Sequence, residues 1–169
     1  MHSNEKKKCF KVLVDSANGT AFGSNGNAFM DYNFDWSILP DVAMKMTFTF
    51  NSLEVVHISG NRNAYINVGL GQNTTYQVSA QTGDTQARTT TIIGSLRNDP
   101  VGTDGATDDG LNFAIRANYV DNAPTYLNGR PFNNQFQVKL EDGLGAEWSG
   151  NSPGDVLSNY VLVLNFEEV

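Results

Sequence analysis

The sequence predicts an all-β domain built as a two-sheet antiparallel β-sandwich, and three observations indicate it. Apolar and polar residues alternate one by one over 135–141 and again over 159–167, which is typical of strands with one face in a core. Clusters of glycine, asparagine, aspartate and proline separate such runs at roughly the 8 to 12 residues common in sandwiches. No stretch of helical period is long enough to predict a helix.

The same alternation predicts about nine or ten strands in order along the chain. Phe10, Val12 and Val14 share one face of the first strand, and the residues at 15–19 turn the chain. The clearest pattern is 42–51, where methionine and phenylalanine alternate with lysine, threonine and asparagine. The other predicted strands span 28–34, 53–59, 64–70, 75–80, 88–93 and 111–119.

The segments between these runs are predicted to be turns and loops. Residues 20–27 form a connection rich in glycine, serine and asparagine. Residues 36–40 form a bend, because Pro40 cannot donate to a ladder and pushes the preceding residue into an extended conformation. The chain turns again at 121–124, and 142–154 is a loop between the last two strands.

The length of 169 residues fits one domain with a sizeable core. We predict a flexible N-terminal segment at 1–8 and a single folded domain at 9–169. The formal net charge of −7 argues against nucleic acid as a partner. No apolar run approaches the ~20 residues of a membrane span, and no secretory signal follows the charged start, so we expect an intracellular or packaged protein.

Charged residues make up only 17% of the chain, below the ~25% that is typical of soluble domains. Asparagine, threonine and glycine are abundant instead. A polar surface with few charges favours packing against other proteins over an isolated existence in the cytosol.

The residues needed for catalysis are scarce, so we predict that the protein is not an enzyme. His2 and His57 are the two histidines of the chain, and His57 lies in an apolar run that predicts a packed strand residue. Cys9 is the single cysteine, and its apolar neighbours predict a buried free thiol. The paired acids at 108–109 and 141–142 lack a fixed separation and are predicted to be solvated loop carboxylates.

One acidic loop has an alternative interpretation as a calcium site. The loop at 98–110 is rich in glycine, and its carboxylates are oxygen ligands of the kind calcium prefers. The spacing differs from that of an EF-hand, and solvated loop acids are the commoner case, so we expect no cofactor and keep calcium as the minor alternative. The candidate ligands are Asp99, Asp104, Asp108 and Asp109.

Five pieces of the sequence follow one another in order and cover nearly the whole chain from Phe10: 10–16, 33–40, 46–50, 122–136 and 160–167. Together they resemble a family of small proteins from large double-stranded DNA viruses of algae and protists and their satellite viruses. The family resembles single jelly-roll minor capsid proteins. The resemblance implies a jelly-roll domain over 9–169 and a location in the virion after assembly in the host cytoplasm.

Within these pieces, Arg130, Pro131, Asn133 and Asn134 form the motif that we single out. A guanidinium can bond several carbonyls or a carboxylate at once. We therefore expect Arg130 to fix the loop before the strand at 134–141 rather than to contact a partner directly.

Two functions remain open at this point. The first is a structural component of a viral capsid, either a minor capsid or cement protein or a vertex protein, bound to other capsid subunits in a homo- or hetero-oligomeric assembly. The second is a lectin-like carbohydrate-binding sandwich, because jelly rolls serve both purposes. Its predicted stacking residues are Trp36, Trp148 and Tyr126.

Overall fold

The computed structural model describes residues 7–24, 26–56, 63–71, 77–79, 88–90, 92–98, 115–117, 124–141, 145–148 and 156–169. Within these ranges the chain forms twelve strands and two short 3-10 helices, Ser16–Asn18 and Trp36–Ile38. The strands are β1 Cys9–Asp15, β2 Thr20–Ala21, β3 Phe29–Asn33, β4 Met44–Val56, β5 Asn63–Val68, β6 Gln77–Ser79, β7 Arg88–Thr90, β8 Ile92–Asn98, β9 Ile115–Ala117, β10 Thr125–Leu127, β11 Gln135–Glu141 and β12 Val156–Glu168.

The strands form two antiparallel sheets with the connectivity of a jelly roll. One sheet has the order β1-β12-β4-β10, and the other has the order β8-β5-β11-β3-β2. Apart from the terminal pair β3-β2, strands from the first half of the chain alternate with strands from the second half in both sheets, as expected when a long hairpin is wrapped into two layers. The predicted fold class, an all-β antiparallel sandwich of jelly-roll type, is therefore confirmed.

One side of the sandwich is closed by a short strand. β9 pairs with β8 over three residues and with β4 at the single pair Asn51 and Arg116, so it links the edges of the two sheets. β6 and β7 pair with each other as a separate hairpin.

The core lies between the sheets and follows the alternation seen in the sequence. The inward rows are Val12 and Val14 of β1, the even-numbered residues 44–50 of β4, and the even-numbered residues 160–166 of β12. Burying one large apolar side chain of this kind stabilises the fold by about 1.5–3 kcal/mol. From the opposite sheet the core receives Met30, Tyr32, Ile66, Val68, Ile93, Phe136, Val138 and Leu140.

The prediction of a separate strand at 53–59 is wrong. β4 continues from Met44 to Val56, because β12 pairs beside it from Glu168 back to Val156. The pairing skips Leu53, which lies between the paired residues Ser52 and Glu54. An irregularity of this kind shifts the alternation by one residue without ending the strand, and in the sequence that shift looks like a boundary.

Three smaller differences between the predictions and the structure are explained by where the residues lie in the fold. Cys9 is exposed, contrary to the predicted buried thiol, because it shares the outward row of β1 with Lys11 and Leu13. The connection at 20–27 contains the short β2, paired with β3. Glu141 is buried rather than solvated, because Trp148 donates its backbone N–H to Leu140 at 2.8 Å and brings 145–148 over the end of β11.

Candidate interaction surface

Two connections pass side by side from one sheet to the other at one end of the sandwich. Residues 34–43 lead from β3 to β4, and residues 128–134 lead from β10 to β11. We call these two segments together the crossing. The motif singled out from the sequence, Arg130, Pro131, Asn133 and Asn134, lies within it.

Hydrogen bonds join the two segments along their length. Phe34 donates its backbone N–H to the carbonyl of Asn134 at 2.8 Å, and the Trp36 indole donates to the carbonyl of Asn133 at 3.1 Å. Farther along, the backbone N–H of Arg130 donates to Oδ1 of Asp41 at 3.2 Å. Trp36 and Asn133 are 97 residues apart in the sequence. These bonds therefore hold two distant segments of the chain together as one unit.

Trp36 anchors the crossing to the core. Only 1% of its surface is exposed, and its ring lies 5.4 Å from that of Phe136 on β11 and 5.8 Å from that of Phe166 on β12. Phe34 meets the same indole edge to face at 4.7 Å. Such aromatic pairs contribute about 0.5–1.5 kcal/mol each beyond their buried area, so Trp36 ties the crossing to both sheets.

A carboxylate cap shapes the first segment of the crossing. Asp35 precedes the 3-10 helix Trp36–Ile38 and accepts a hydrogen bond from the Ser37 backbone N–H at 2.9 Å. That bond is the main cause of a lowered pKa of the Asp35 carboxyl, followed by the Ser37 hydroxyl and, more weakly, the Arg130 guanidinium. Arg130 thus holds the loop through its backbone N–H and places its positive charge near Asp35.

Two glycines allow the second segment to approach its neighbours. A Cβ atom on Gly129 would lie 2.7 Å from Oδ1 of Asp41, so a side chain there would displace the carboxylate that accepts from Arg130. Gly71 has φ +86° and lies under the ring of Phe132, which would be 2.7 Å from a Cβ atom. The Phe132 backbone N–H donates to the carbonyl of Leu70 at 3.4 Å, which joins the crossing to the residues just after β5.

Large apolar side chains point outward from the crossing. Ile38 is 64% exposed, Phe132 is 60% exposed and Val42 is 42% exposed. We call these three residues the apolar rim. Exposed apolar groups that share one region of a surface mark contact sites more often than isolated ones do, and here they are carried on a backbone fixed by hydrogen bonds.

The side chains expected to stack on sugars are placed differently from the prediction. Trp36 and Trp148 are both buried, at 1% and 2% exposure, so neither presents a ring face to a ligand, and the prediction for these two residues is wrong. Tyr126 is 43% exposed on β10. The tryptophans are buried because their large apolar area fills the core and the closure over β11.

A polar depression of about 470 Å³ lies on the outer face of the five-stranded sheet. Its lining includes Asp31, Gln137 and Lys139, and the Gln137 amide donates to Asp31 at 2.8 Å. The Lys139 ammonium lies 5.9 Å from the ring centroid of Phe22 and 5.7 Å from that of Phe29. The depression therefore combines amide and carboxylate groups with an aromatic pair at the lysine.

No group of three or more histidine, cysteine, aspartate or glutamate side chains suited to a metal ion occurs among the described residues. The calcium candidates Asp99, Asp104, Asp108 and Asp109 lie outside the described residues, as does His57. In the same described part of the chain, no helix has the length and apolar character needed to cross a bilayer.

No protein-family profile matches the sequence, and no curated protein matches it at a significant level.

Proposed function

We propose that the protein is a structural component of a viral capsid, a minor capsid, cement or vertex protein, which binds neighbouring capsid subunits through the crossing. The observation that carries the proposal is the apolar rim of Ile38, Val42 and Phe132 on the hydrogen-bonded crossing. A structural subunit needs a contact surface that keeps its shape, and this surface is fixed at several points before any partner arrives.

Preorganisation is the physical reason why this surface suits assembly. Binding loses free energy when loops and side chains must be ordered. Trp36 is fixed in the core and the backbones of both segments are bonded to each other, so the loops that carry the exposed side chains need little further ordering. A protein interface usually has apolar residues at its centre and polar groups around them. Here the apolar rim would form the centre of the contact, and Asp35 and Arg130 supply charged groups at the crossing.

Composition and resemblance support the same conclusion. The chain has 17% charged residues, which lowers the desolvation cost of burying its surface in a shell. The resemblance to single jelly-roll minor capsid proteins covers most of the first segment of the crossing, through 33–40, and all of the second, through 122–136. We accordingly propose a virion location after assembly in the host cytoplasm, with capsid subunits of the same or another kind as partners.

The test is incorporation of the chain into particles. Phe132→Asp places a carboxylate in the apolar rim, and we expect it to reduce the copy number per purified particle, measured by quantitative mass spectrometry. Phe22→Asp is the matched control, since Phe22 is also an exposed phenylalanine, at 42%, but lies outside the crossing. Wild-type chain that is abundant in infected cells and absent from purified particles would refute the proposal.

A carbohydrate-binding module is the second candidate, and the polar depression favours it. Amide, carboxylate and ammonium groups that line one concave surface suit the hydroxyl groups of a sugar. Saturable binding of the isolated protein on a glycan array, abolished by Gln137→Ala together with Lys139→Ala, would support this function over the capsid role. Binding that is unaffected by these changes, or no binding at all, would exclude the depression as a sugar site.

A further inference from the structure

We propose that the free edge of β1 binds the same edge of a second copy of this chain, with the two strands antiparallel around a two-fold axis at Leu13. The proposal goes beyond the capsid role, because it concerns self-association of the isolated protein and follows from the chemistry of the edge alone. It depends on four features of β1, taken in turn below: its free backbone groups, its outward side chains, its charges and its small area.

The first feature is the direction of the backbone groups of β1. Glu168 donates its N–H to the carbonyl of Lys8 at 3.2 Å, and the Tyr160 N–H donates to Oγ of Ser16 at 3.0 Å. The N–H groups of Tyr160 and Glu168 therefore point toward β1, and in the register of the two strands the even-numbered residues of β12 lie opposite the even-numbered residues of β1, whose backbone groups thus face β12. Alternate residues of an antiparallel strand bond opposite neighbours, so the backbone groups of Cys9, Lys11, Leu13 and Asp15 point toward the edge where no described strand pairs.

The second feature is the apolar character of the outward row. Leu13 is 67% exposed, one of the most exposed large apolar side chains in the described chain. It lies opposite Val163 of β12, and Val161 is the next outward residue on that strand; both valines are partly exposed. A second copy of β1 placed antiparallel at this edge would bring the two Leu13 side chains next to each other, and each would cover part of the other's exposed area without rearranging the sandwich.

Charge selects one register among those that the strand allows. With the two-fold axis at Leu13, each Lys11 lies opposite Asp15 of the second copy, so that the dimer gains two ion pairs. With the axis at Lys11, two lysines oppose each other, which is unfavourable. With the axis at Val12 or Val14, neither Lys11 nor Asp15 meets an opposite charge. The register at Leu13 is therefore the one that satisfies both charges and joins the two exposed leucines.

The fourth feature limits the strength of the contact. The ladder between two copies spans only 11–15 of each chain, because the chain bends into the 3-10 helix Ser16–Asn18 after Asp15. The surface area that such a ladder buries is well below the roughly 1,600 Å² buried in a standard stable interface. We therefore expect a weak, concentration-dependent dimer. A lysine on an edge strand also opposes indiscriminate pairing, which is consistent with association in one register.

Crosslinking at the axis tests the geometry. In a Cys9→Ser background, Leu13→Cys places two cysteines opposite each other at about 5.5 Å between Cα atoms, within the range of a disulfide. We expect mild oxidation to give a disulfide dimer at least tenfold faster than it does for Val169→Cys in the same background. Val169 is the matched control, because its exposure of 68% is close to the 67% of Leu13 and it lies outside both β1 and the apolar rim.

A charge exchange tests the register. Lys11→Glu opposes Asp15 of the second copy with a like charge, and we expect about a tenfold weaker association constant by sedimentation equilibrium at up to millimolar protein. Lys11→Glu with Asp15→Lys should restore association. Asp15 also accepts a hydrogen bond from the Ala17 N–H at 2.9 Å, so replacing it removes this cap. The thermal unfolding of each variant is therefore measured alongside, to separate a loss of stability from a loss of association.

Three results would overturn the proposal. The first is a wild-type chain that remains monomeric up to millimolar concentration with equal oxidation rates for the two cysteine variants. The second is an association constant unchanged by Lys11→Glu. The third is disulfide formation through Cys9 of the wild type as fast as through Leu13→Cys, which would place the axis at Cys9. None of these results bears on whether the chain is found in particles, so the capsid proposal is tested separately.

Discussion

The hydroxyl oxygens of Tyr32 and Tyr160 lie 3.2 Å apart in a buried hydrogen bond that joins the two sheets of the sandwich. Tyr32 belongs to β3 and Tyr160 to β12, and the Tyr160 ring also stacks on Phe50 of β4 at 5.1 Å. Burial is the main cause that raises the pKa of Tyr32 to about 12, and it raises the pKa of Tyr160 further. Both hydroxyls therefore stay protonated, and one donates to the other away from water.

A double-mutant cycle on this pair tests that mutual dependence. Tyr32→Phe leaves the Tyr160 hydroxyl buried without its partner, and we expect a loss of about 1–3 kcal/mol in the free energy of unfolding. Tyr160→Phe should cost a similar amount for the same reason. The double variant removes both polar groups, so we expect it to cost less than the sum of the single changes, as measured by urea denaturation. Strict additivity would show that the two hydroxyls do not depend on each other.

Alkaline stability provides a second prediction. A tyrosine whose folded pKa is raised stabilises the fold fully below its unfolded pKa near 10, and this contribution is lost as the pH rises through the folded pKa of about 12 for Tyr32. We expect the free energy of unfolding to fall between these pH values by up to about 1.4 kcal/mol per pH unit for each tyrosine.

The Tyr32→Phe and Tyr160→Phe double variant is the control for that titration. It keeps both rings and every other ionisable group, so the slope that remains belongs to the rest of the chain. We expect this slope to be shallower than that of the wild type over the same pH range. Equal slopes for the two proteins would assign the alkaline loss to other groups.

The fold was predictable because local alternation and burial agree along most strands. Phe10, Val12 and Val14 face inward as the alternation predicts, although Phe10 is only partly buried near the end of β1. The prediction for Cys9 is wrong because its neighbours are apolar, whereas its own position belongs to the outward row of β1. β10 was missed because three residues, Thr125–Leu127, are too few to display a period of two.

The geometry of the crossing was less predictable, for a physical reason. The bonds from Phe34 and Trp36 end on the carbonyls of Asn134 and Asn133, and a carbonyl is present whatever the side chain. Such contacts leave no compositional signal at the accepting residue. The Asp35 cap could have been found, since aspartate commonly bonds the backbone two residues onward, and Asp15 caps Ser16–Asn18 in the same way.

Trp36→Phe tests whether the indole bond stabilises the crossing. The substitution keeps an aromatic ring in the core but removes the donor to Asn133 and part of the buried area. We expect a loss of about 2–4 kcal/mol in the free energy of unfolding from these two effects together. Amide exchange at Phe34, whose N–H donates to Asn134, should accelerate more than exchange within β11.

Ile38→Ala is the matched control for this experiment. Ile38 lies two residues away on the same 3-10 helix but is largely exposed, so we expect its truncation to change stability by less than about 0.5 kcal/mol. A Trp36→Phe protein as stable as the Ile38→Ala protein would contradict the anchoring role of the indole.

Gly71→Ala tests the packing of Phe132 on the end of β5. The residue has φ +86°, and an added Cβ would come within 2.7 Å of the Phe132 ring, so the substitution meets both backbone strain and a clash. We expect a loss of about 1–3 kcal/mol in the free energy of unfolding. Gly69→Ala is the control, because nothing lies within 4 Å of its Cβ position. Adding Phe132→Ala to Gly71→Ala should restore the part of the lost stability that is due to the clash and leave the part that is due to backbone strain. A double variant no more stable than Gly71→Ala alone would show that the ring does not restrict this position.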